Sequence, residues 1–411
     1  MIRASALYIS LIVSILIVLV CGSMLLIGFT YRMQERKQER AQLLRENVAS
    51  AMLILMQQDF KADTAQQLSL YGKEKDSVSL EKKAWGIYEL GLAASWINAD
   101  TLRKAFLIGT PLTDSLKVLY LADEDRPMSI TGKSLIKGTA YLPKSGIKAA
   151  YVESSGYADK TLVYGATRDS ERDMPAPDAG LLKSLEDLPA FASDADRLQD
   201  TVENSFFNPV RRLHVEKDDV FVSGFKAKGH VIISSDSMLV VDKDCMLDGV
   251  ILVAPYVKIE DNFSGRLQVV ATDSIAVGNE VKLSYPSALL VLKNDTAKHQ
   301  VKIAVGRKSV IEGALFAWEK ERSVLMPLIQ VGEEAVIKGE VWSKGYVALS
   351  KTARVNGSVS AIRLMARVAS AIYENYLIDV KLDKTALPKY YLSSELLNKQ
   401  VKSGRLLCWV N

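Results

Sequence analysis

Histidine and cysteine are scarce in this chain of 411 residues, which has three of each. The cysteines are Cys21, Cys245 and Cys408. They are too few and too far apart for a disulfide framework or a metal-binding spacing. The histidines are His214, His230 and His299. They are scattered and have no acidic neighbours at a spacing that indicates a general acid–base site. We expect all three histidines to be solvated, and we expect no catalytic residue, cofactor or metal.

An excess of charge of one sign is also missing. The chain has 52 Lys and Arg against 48 Asp and Glu, a formal net charge of +4. Such a balance indicates no surface for a polyanion, so we expect no nucleic-acid partner.

Short motifs do not point to a small-molecule substrate either. The segment "TGKS", residues 131–134, lacks the first Gly of a phosphate loop, with Pro127 and Met128 in its place. Three aspartates near residue 245 are expected at solvated turns; they are Asp242, Asp244 and Asp248. Cys245, which lies among them, is expected to be a buried thiol of low reactivity.

The chain begins with a long apolar run. No charged residue lies between Ala4 and Tyr31, and about 20 apolar residues in a helix cross a hydrocarbon core of ~30 Å. The run is longer than the apolar core of a cleaved signal peptide and has no small-residue cleavage site before a polar start. We predict a retained, single-pass transmembrane anchor over residues 1–31, in contact with membrane lipid.

The helix is predicted to continue past the membrane, over residues 32–62. This segment is rich in Glu, Gln, Arg, Leu and Ala, which are strong helix formers. Its apolar residues repeat at helical spacing and form one face. We predict that Leu44, Val48 and Leu55 of this face are an assembly face, which contacts either the chain's own first module or the helix of a sister subunit.

The middle of the chain is predicted to contain three segments. Residues 63–115 mix polar turns with short apolar runs and are interpreted as a mixed α/β packing module. Residues 116–176 are a β-rich segment with Gly, Pro and Asp at its turns. This segment is a candidate for the first coils of a repeat fold. Residues 177–205 are interpreted as a helical insertion.

A six-residue period appears after about residue 219. Apolar residues or Gly recur at every sixth position on one track, namely Val241, Leu247, Val253, Ile259, Gly265, Ala271, Val277 and Leu283. A second track has Cys245, Ile251, Val257, Phe263, Val269, Ile275 and Val281. Residues 331–359 repeat the rule, and three six-residue sides give about 18 residues per coil. We therefore predict a β-solenoid over 219–363 whose stacked coils share an apolar interior.

The expected fold class follows from these segments. It is mostly β, with a single N-terminal transmembrane helix and its long helical extension, then the β-solenoid with small helical caps. Residues 364–411 are expected to cap the last coil. Among the residues on the tracks, we expect Val253, Ile259, Val341 and Val347 to be buried, while Lys258 and Lys344 are exposed.

Two stretches resemble known families. The basic start "RASAL", the apolar run and the Arg/Gln/Glu-rich extension ending in "NVASAML" resemble pilin-type proteins, especially the large minor pseudopilins of the K type in type II secretion. Unlike that family, the chain has no Gly before the apolar run. The stretch "AVIKGEVWSKGYVALSKTARVNGSV" resembles bactofilins, which are polymer-forming β-solenoids. Hexapeptide acyltransferases also use six-residue sides.

These resemblances imply three functions. The first is a non-enzymatic, membrane-anchored, pilin-like or pseudopilin-like structural subunit, which presents a rigid β-solenoid and assembles with sister subunits or with itself. The second is a membrane-tethered, bactofilin-like cytoplasmic scaffold, and the third is a solenoid enzyme acting on glycan or an acyl donor. A period by itself implies no chemistry.

The two leading functions place the body on opposite sides of the membrane. Five basic residues follow the span, against Arg3 before it, which favours a cytoplasmic body. The pilin resemblance implies an exported body. We expect a single-pass protein of the inner membrane with its body on the extracytoplasmic side.

Overall fold

The computed structural model describes residues 4–57, 60, 64–70, 77–112, 114, 116–153, 155–188, 196–197, 201–215, 221–222, 224–294, 297–368, 371–398 and 403–410. The chain divides into two compact units. Unit 1 consists of Met1–Leu55, Phe60–Lys82 and Gly91–Lys104. Unit 2 consists of Met56–Asp59, Lys83–Leu90 and Ala105–Asn411. Strands account for most of the regular structure, and one long apolar helix lies at the N-terminus.

Helix α1 spans Ala4–Leu55 without a break, 52 residues in all. The sequence prediction of one long N-terminal helix is therefore confirmed, although α1 ends earlier than the predicted limit at residue 62. Its side chains are exposed from Ala6 to Glu39, and burial begins around Arg40. Only the last part of α1 thus packs against the rest of unit 1.

Four strands follow α1, and they belong to a five-stranded sheet that the last strand of the chain completes. The strands are β1 (Gln66–Ser69), β2 (Ser77–Trp85), β3 (Tyr88–Ile97) and β4 (Asp100–Gly109). The sheet order is β1-β2-β3-β4-β29, where β29 is Arg405–Trp409, and the outer pairs β1–β2 and β4–β29 are antiparallel. Asn98, at φ 55, occupies the two-residue turn between β3 and β4.

The predicted mixed α/β module over 63–115 therefore differs from the structure, which has strands alone in the described part of this range. The physical reason is the period of the apolar residues. In β2, buried and partly exposed side chains alternate over its first six residues, as they do in a strand with one buried face.

Short parallel strands come next in the chain. They are β5 (Lys117–Leu121), β6 (Met128–Thr131), β7 (Leu135–Lys137), β8 (Thr139–Leu142), β9 (Ile147–Ala149) and β10 (Thr167–Asp169). Helix α2 (Ala179–Glu186) follows, and the side chain of Asp178 caps its N-terminus by accepting from the amides of Gly180 and Leu181.

The parallel strands then resume and lengthen. The short ones are β11 (Asp196–Arg197), β12 (Thr201–Asn204), β13 (Arg211–His214), β14 (Phe221–Val222), β15 (Lys226–Gly229), β16 (Val231–Ser234) and β17 (Met238–Val241). The longer set is β18 (Met246–Ile259), β19 (Ser264–Val277), β20 (Lys282–Leu292), β21 (Lys302–Val305), β22 (Val310–Trp318), β23 (Leu328–Val331), β24 (Val336–Leu349) and β25 (Arg354–Arg367). Before β29, the chain forms β26 (Ile372–Glu374), β27 (Tyr376–Ile378), β28 (Lys381–Asp383) and a 3-10 helix (Lys384–Ala386).

The predicted helical insertion was too long, and the C-terminal cap, expected to be a helix or final strands, is made mainly of strands. The expected insertion over 177–205 contains one helix, α2, followed by β11 and β12; Pro189 lies outside the described residues. The expected cap over 364–411 has strands and one 3-10 helix, and no α-helix in its described part. In β28 the middle residue Leu382 alone is buried, which is the alternation of a strand and not the period of a helix.

Most of the parallel strands belong to one sheet that closes on itself in a barrel-like manner. Its register repeats along the chain, because Val336 pairs with Arg354, eighteen positions later, and Asp248 pairs in the same way with Arg266. The chain has loops between β20 and β21 and between β22 and β23. Across these loops, the sequence separation between paired residues increases to 28 and 26 residues. The sheet is therefore built from successive chain segments in parallel register.

The corners of this sheet repeat as well. A non-glycine residue with a positive φ recurs in step with the register, at Asn262, Glu280, Lys308, Glu334 and Thr352. Such residues adopt the left-handed conformation rarely. Their recurrence shows that successive segments turn in the same way.

The chain order and the spatial order of the strands differ. β25 pairs in parallel with β5, where Val359 lies opposite Leu119, and with β28. Residues 117–169 therefore extend the sheet beyond its C-terminal segments. The predicted solenoid over 219–363 is thus shorter than the parallel sheet, which includes strands from both 117–169 and 196–383.

The burial predictions on the two tracks are confirmed for Val253, Ile259, Val341 and Val347. Lys258 is exposed, while Lys344 is half-buried because its ammonium lies 4.4 Å from the centre of the Trp318 ring.

Two residues of β18 were predicted to face the main apolar core, and this prediction was wrong. Ile251 and Val253 are buried, but Val250, Leu252 and Ala254 are the β18 residues that join the main apolar core in this part of the strand. The register shifts at Gly249, which has φ +75. An extra residue at such a bulge exchanges the two faces of a strand.

Candidate assembly helix and the polar sites of unit 2

The predicted assembly face lies inside unit 1. Leu44, Val48 and Leu55 are 4%, 3% and 0% exposed, and Ala51 between them is fully buried. These residues follow helical spacing and form one narrow stripe. The stripe is therefore buried in a single copy of the chain. The role of these residues in assembly stays a prediction.

Two polar residues of α1 accompany the buried stripe. The Arg40 Nε atom lies 2.8 Å from the Asp100 carboxylate of β4, and the Asn47 Nδ2 atom lies 3.4 Å from the Ser95 hydroxyl of β3. Asn47 is 1% exposed, so its amide needs a partner. Sequence reasoning missed both residues. A polar residue at a stripe position, such as Asn47, was the available signal.

The remaining surface of α1 is open. Leu43 is 45% exposed and Leu53 is 63% exposed, and the apolar side chains before Tyr31 are exposed on all sides of the helix. Among the described residues, α1 is the one helix whose length and composition suffice to cross a membrane. This open surface is the part of α1 that lipid or another subunit can cover.

The three histidines of unit 2 do not share one environment. His230 is 8% exposed, its ring lies 5.1 Å from that of Phe206 in a stacked arrangement, and its Nδ1 atom is 2.8 Å from the Asn208 carbonyl oxygen. The prediction that it is solvated was therefore wrong, because Phe206 and Trp85 pack around it. His214 is half-buried, and His299 is exposed beside Asp273. The three lie in separate contacts and do not form a common site.

The aspartates around Cys245 also have ordinary surroundings. Asp248 pairs with Arg266 at 2.6 Å, and Asp244 is exposed. Cys245 is buried, and this burial raises the pKa of its thiol. A thiol whose pKa is raised in this way has less thiolate at neutral pH and reacts slowly. Over the described residues, no group of three His, Cys, Asp or Glu side chains could hold a metal ion.

A buried carboxyl group was not foreseen from the sequence. Glu340 of β24 is 5% exposed; the Asn398 amide donates to it at 3.2 Å, and the Ser393 hydroxyl also donates to it. Nearby, the Tyr285 hydroxyl donates to the Leu392 carbonyl oxygen at 2.8 Å. These bonds hold residues 391–398 against the outer face of the parallel sheet. We interpret Glu340 and its partners as a structural clamp, because their polar atoms form hydrogen bonds within the chain itself.

An open groove of about 930 Å³ lies on another face of unit 2. Its lining includes Gln330, Ser350 and Arg367, and the Glu153 carboxylate in it pairs with Lys351 at 2.7 Å. The lining has no histidine or cysteine. The groove therefore offers hydrogen-bonding and charged groups, and its Lys351 ammonium is paired with the Glu153 carboxylate.

We expect acidic replacements on the buried stripe to disrupt unit 1 selectively. The triple variant Leu44→Asp, Val48→Asp, Leu55→Asp loses about 1.5–3 kcal/mol of hydrophobic stabilisation per side chain. It also buries each carboxylate away from solvent. Unit 2 has its own core and should remain folded. Limited proteolysis with mass spectrometry should show rapid cleavage in residues 32–104 and protection of the parallel sheet.

The matched control for this variant is Leu43→Asp, Leu53→Asp, because both side chains are exposed on the same helix. It should give the proteolysis pattern of the unmodified protein. Equal protection of the triple variant and the control would contradict the structural role of the stripe.

Comparisons with known proteins identify no family. No protein-family model matches the chain, and no curated protein matches it. One solved structure similar to it is the competence-associated pilin ComZ from Thermus thermophilus, at 9% sequence identity over 85% of this chain and 86% of that chain, with a TM-score of 0.23. A TM-score this low is not evidence for fold or function.

Proposed function

We propose that the chain is a non-enzymatic, membrane-anchored structural subunit of the pilin-like or pseudopilin-like type. This proposal rests on the difference in exposure between the first and the last part of α1. Its apolar part is exposed throughout, and its last part packs through a narrow stripe within unit 1, which also contains strand residues of β1–β4. A helix built in this way anchors a body and leaves a long surface free for other subunits.

Membrane lipid is the proposed environment of the first part of α1. The uncharged run from Ala4 to Tyr31 forms a helix of about 40 Å at 1.5 Å per residue, enough for a hydrocarbon core of ~30 Å. We place the anchor in the inner membrane and the body on the extracytoplasmic side. The proposed partners are copies of the chain or sister subunits, without nucleic acid or a small-molecule substrate.

We further infer that the parallel sheet of unit 2 is a β-solenoid. The support is the eighteen-residue register, the repeated left-handed corners and the continuous apolar core that runs from Val118 to Leu382. A stack of this kind is held by contacts between neighbouring coils and is stiff along its axis. It would serve as a rigid body presented in an envelope assembly.

A bactofilin-like scaffold in the cytoplasm is the second candidate, because five basic residues follow the span. Polymerisation through the sheet ends would require open ends. At one end, Ile147, Tyr157, Leu162 and Val163 pack against the core, and the adjoining β10 is three residues long with two charged side chains. Short, charged edge strands oppose pairing between chains, so this end argues against end-to-end polymerisation.

Association in the membrane tests the proposed function. Two differently tagged copies should co-purify from membranes solubilised in a mild detergent. Copies whose residues 1–31 are replaced by an unrelated transmembrane helix should co-purify at least about tenfold less, because helix contacts in lipid depend on specific packing. Absence of co-purification of the unmodified copies would contradict a subunit that assembles with itself.

A further inference from the structure

The segment Arg32–Glu39 of α1 is an exposed stretch of helix, which we call the stalk. It follows the apolar run, precedes the first packed residue Arg40, and every side chain in it is exposed. Eight residues make a rod of about 12 Å. Apart from Met33, its residues are polar or charged, and a helix that is polar on nearly all sides is stabilised by ion pairs or by the packed parts that it bridges.

Four of the five charged residues of the stalk lie in two adjacent columns, and the fifth, Lys37, lies outside both. Arg32 and Arg36 are four residues apart, and so are Glu35 and Glu39. Like charges at this spacing repel each other on a single helix. In the part of the chain that the structure describes, none of the four makes an ion pair, whereas Arg40, next in the basic column, pairs with Asp100. The stalk thus has its basic and its acidic column free.

We propose that the stalk is an electrostatic interface between copies of this chain, with Arg32 and Arg36 of one copy opposite Glu35 and Glu39 of the next. The inference rests on the proposed function. Copies that enter the membrane in the same direction have parallel helices at the same depth. The columns then meet with a stagger of three residues, about 4.5 Å. Charged flanks set register and partner choice in parallel helix pairs in the same way.

The sign pattern distinguishes a second copy from a lipid surface. Anionic headgroups would attract the two arginines and repel the two glutamates, which lie on a neighbouring column of the same short segment. A second copy satisfies all four side chains at once. The arrangement of both signs in matching columns therefore favours protein over lipid as the partner.

Charge reversal in the full-length protein tests the interface. The acid-reversed variant is Glu35→Lys, Glu39→Lys, and the basic-reversed variant is Arg32→Glu, Arg36→Glu. The acid-reversed stalk has basic charges alone, and the basic-reversed stalk has four glutamates beside Lys37. In each variant both columns carry the same sign, so self-association, measured as co-purification of differently tagged copies, should fall at least about tenfold. The two variants expressed together should associate again to at least half the unmodified yield.

The quadruple variant with all four reversals is the matched control, because it restores the original net charge with the columns exchanged. It should associate like the unmodified protein, and this association should weaken at high salt, where surface charges are screened. Circular dichroism at equal helix content would show that each variant is folded.

Three outcomes would overturn the stalk interface. The first is unchanged association of both reversed variants, which would leave the proposed function standing. The second is the pattern of lipid binding, in which the basic-reversed variant loses association, the acid-reversed variant gains it, and mixing restores nothing. The third is failure of the unmodified copies to associate, which would overturn self-association and the interface with it, and would leave sister subunits as the partners of the proposed function.

Discussion

Gly339→Ala is expected to destabilise unit 2 by more than about 4 kcal/mol, a large effect for one methyl group. Gly339 has φ +148 and lies in register between Gly313 and Gly357 of the neighbouring strands. A Cβ atom built at this glycine would overlap the carbonyl oxygen of Gly313. Because that oxygen belongs to the backbone of the adjacent segment, the sheet must open to relieve the overlap.

Urea unfolding of the purified protein, followed by the fluorescence of its tryptophans, measures this effect. The control is Gly249→Ala, since Gly249 has φ +75 with no atom near a built Cβ. It therefore reports backbone strain alone, on the order of 1–2 kcal/mol. Equal unfolding midpoints for the two variants would show that neighbouring segments are not in the contact described.

Phe316→Ala is expected to cost about 3–5 kcal/mol. Phe316 is fully buried, yet it lies outside the main core and forms a column across the sheet with Leu290 and Trp342. Its ring stacks on that of Trp342 at 4.8 Å. Truncation leaves a cavity beside a large aromatic ring, and the fixed strands cannot close it.

Thermal unfolding of this variant should be compared with Val324→Ala. Val324 is 95% exposed in the loop between β22 and β23, so its truncation should stay within about ±0.5 kcal/mol. A Phe316 variant as stable as this control would mean that the outer face of the sheet is not covered as described.

The repeat of the parallel sheet was predictable because every segment meets the same requirement. Val341 and Val347 of β24 and Val359 of β25 are all buried, so the same residue type recurs at multiples of six residues. The prediction of which β18 side chains face the core was wrong after Gly249, where the strand has a bulge. A bulge depends on local backbone conformation, and a period of apolar residues does not encode it.

The environment of individual polar residues was much less predictable. Burial of His230 depends on Trp85 and Phe206, and the partners of Glu340 lie in the C-terminal segment. None of these pairs is close in the sequence. In α1, the apolar spacing identified the stripe at Leu44, Val48 and Leu55. The neighbour that covers the stripe was left open, because any apolar surface could fill that role.

We propose that α1 is a retained anchor and that the body it carries is exported. The most direct measurement fuses a topology reporter after Asn411 in the full-length chain, using one enzyme that is active only outside the cytoplasm and one fluorescent protein that matures only inside it. The account predicts an active external enzyme and no fluorescence, with the intact anchor in the membrane fraction. Fluorescence without enzyme activity would contradict it and would place the body in the cytoplasm, as the positive charges after the span favour.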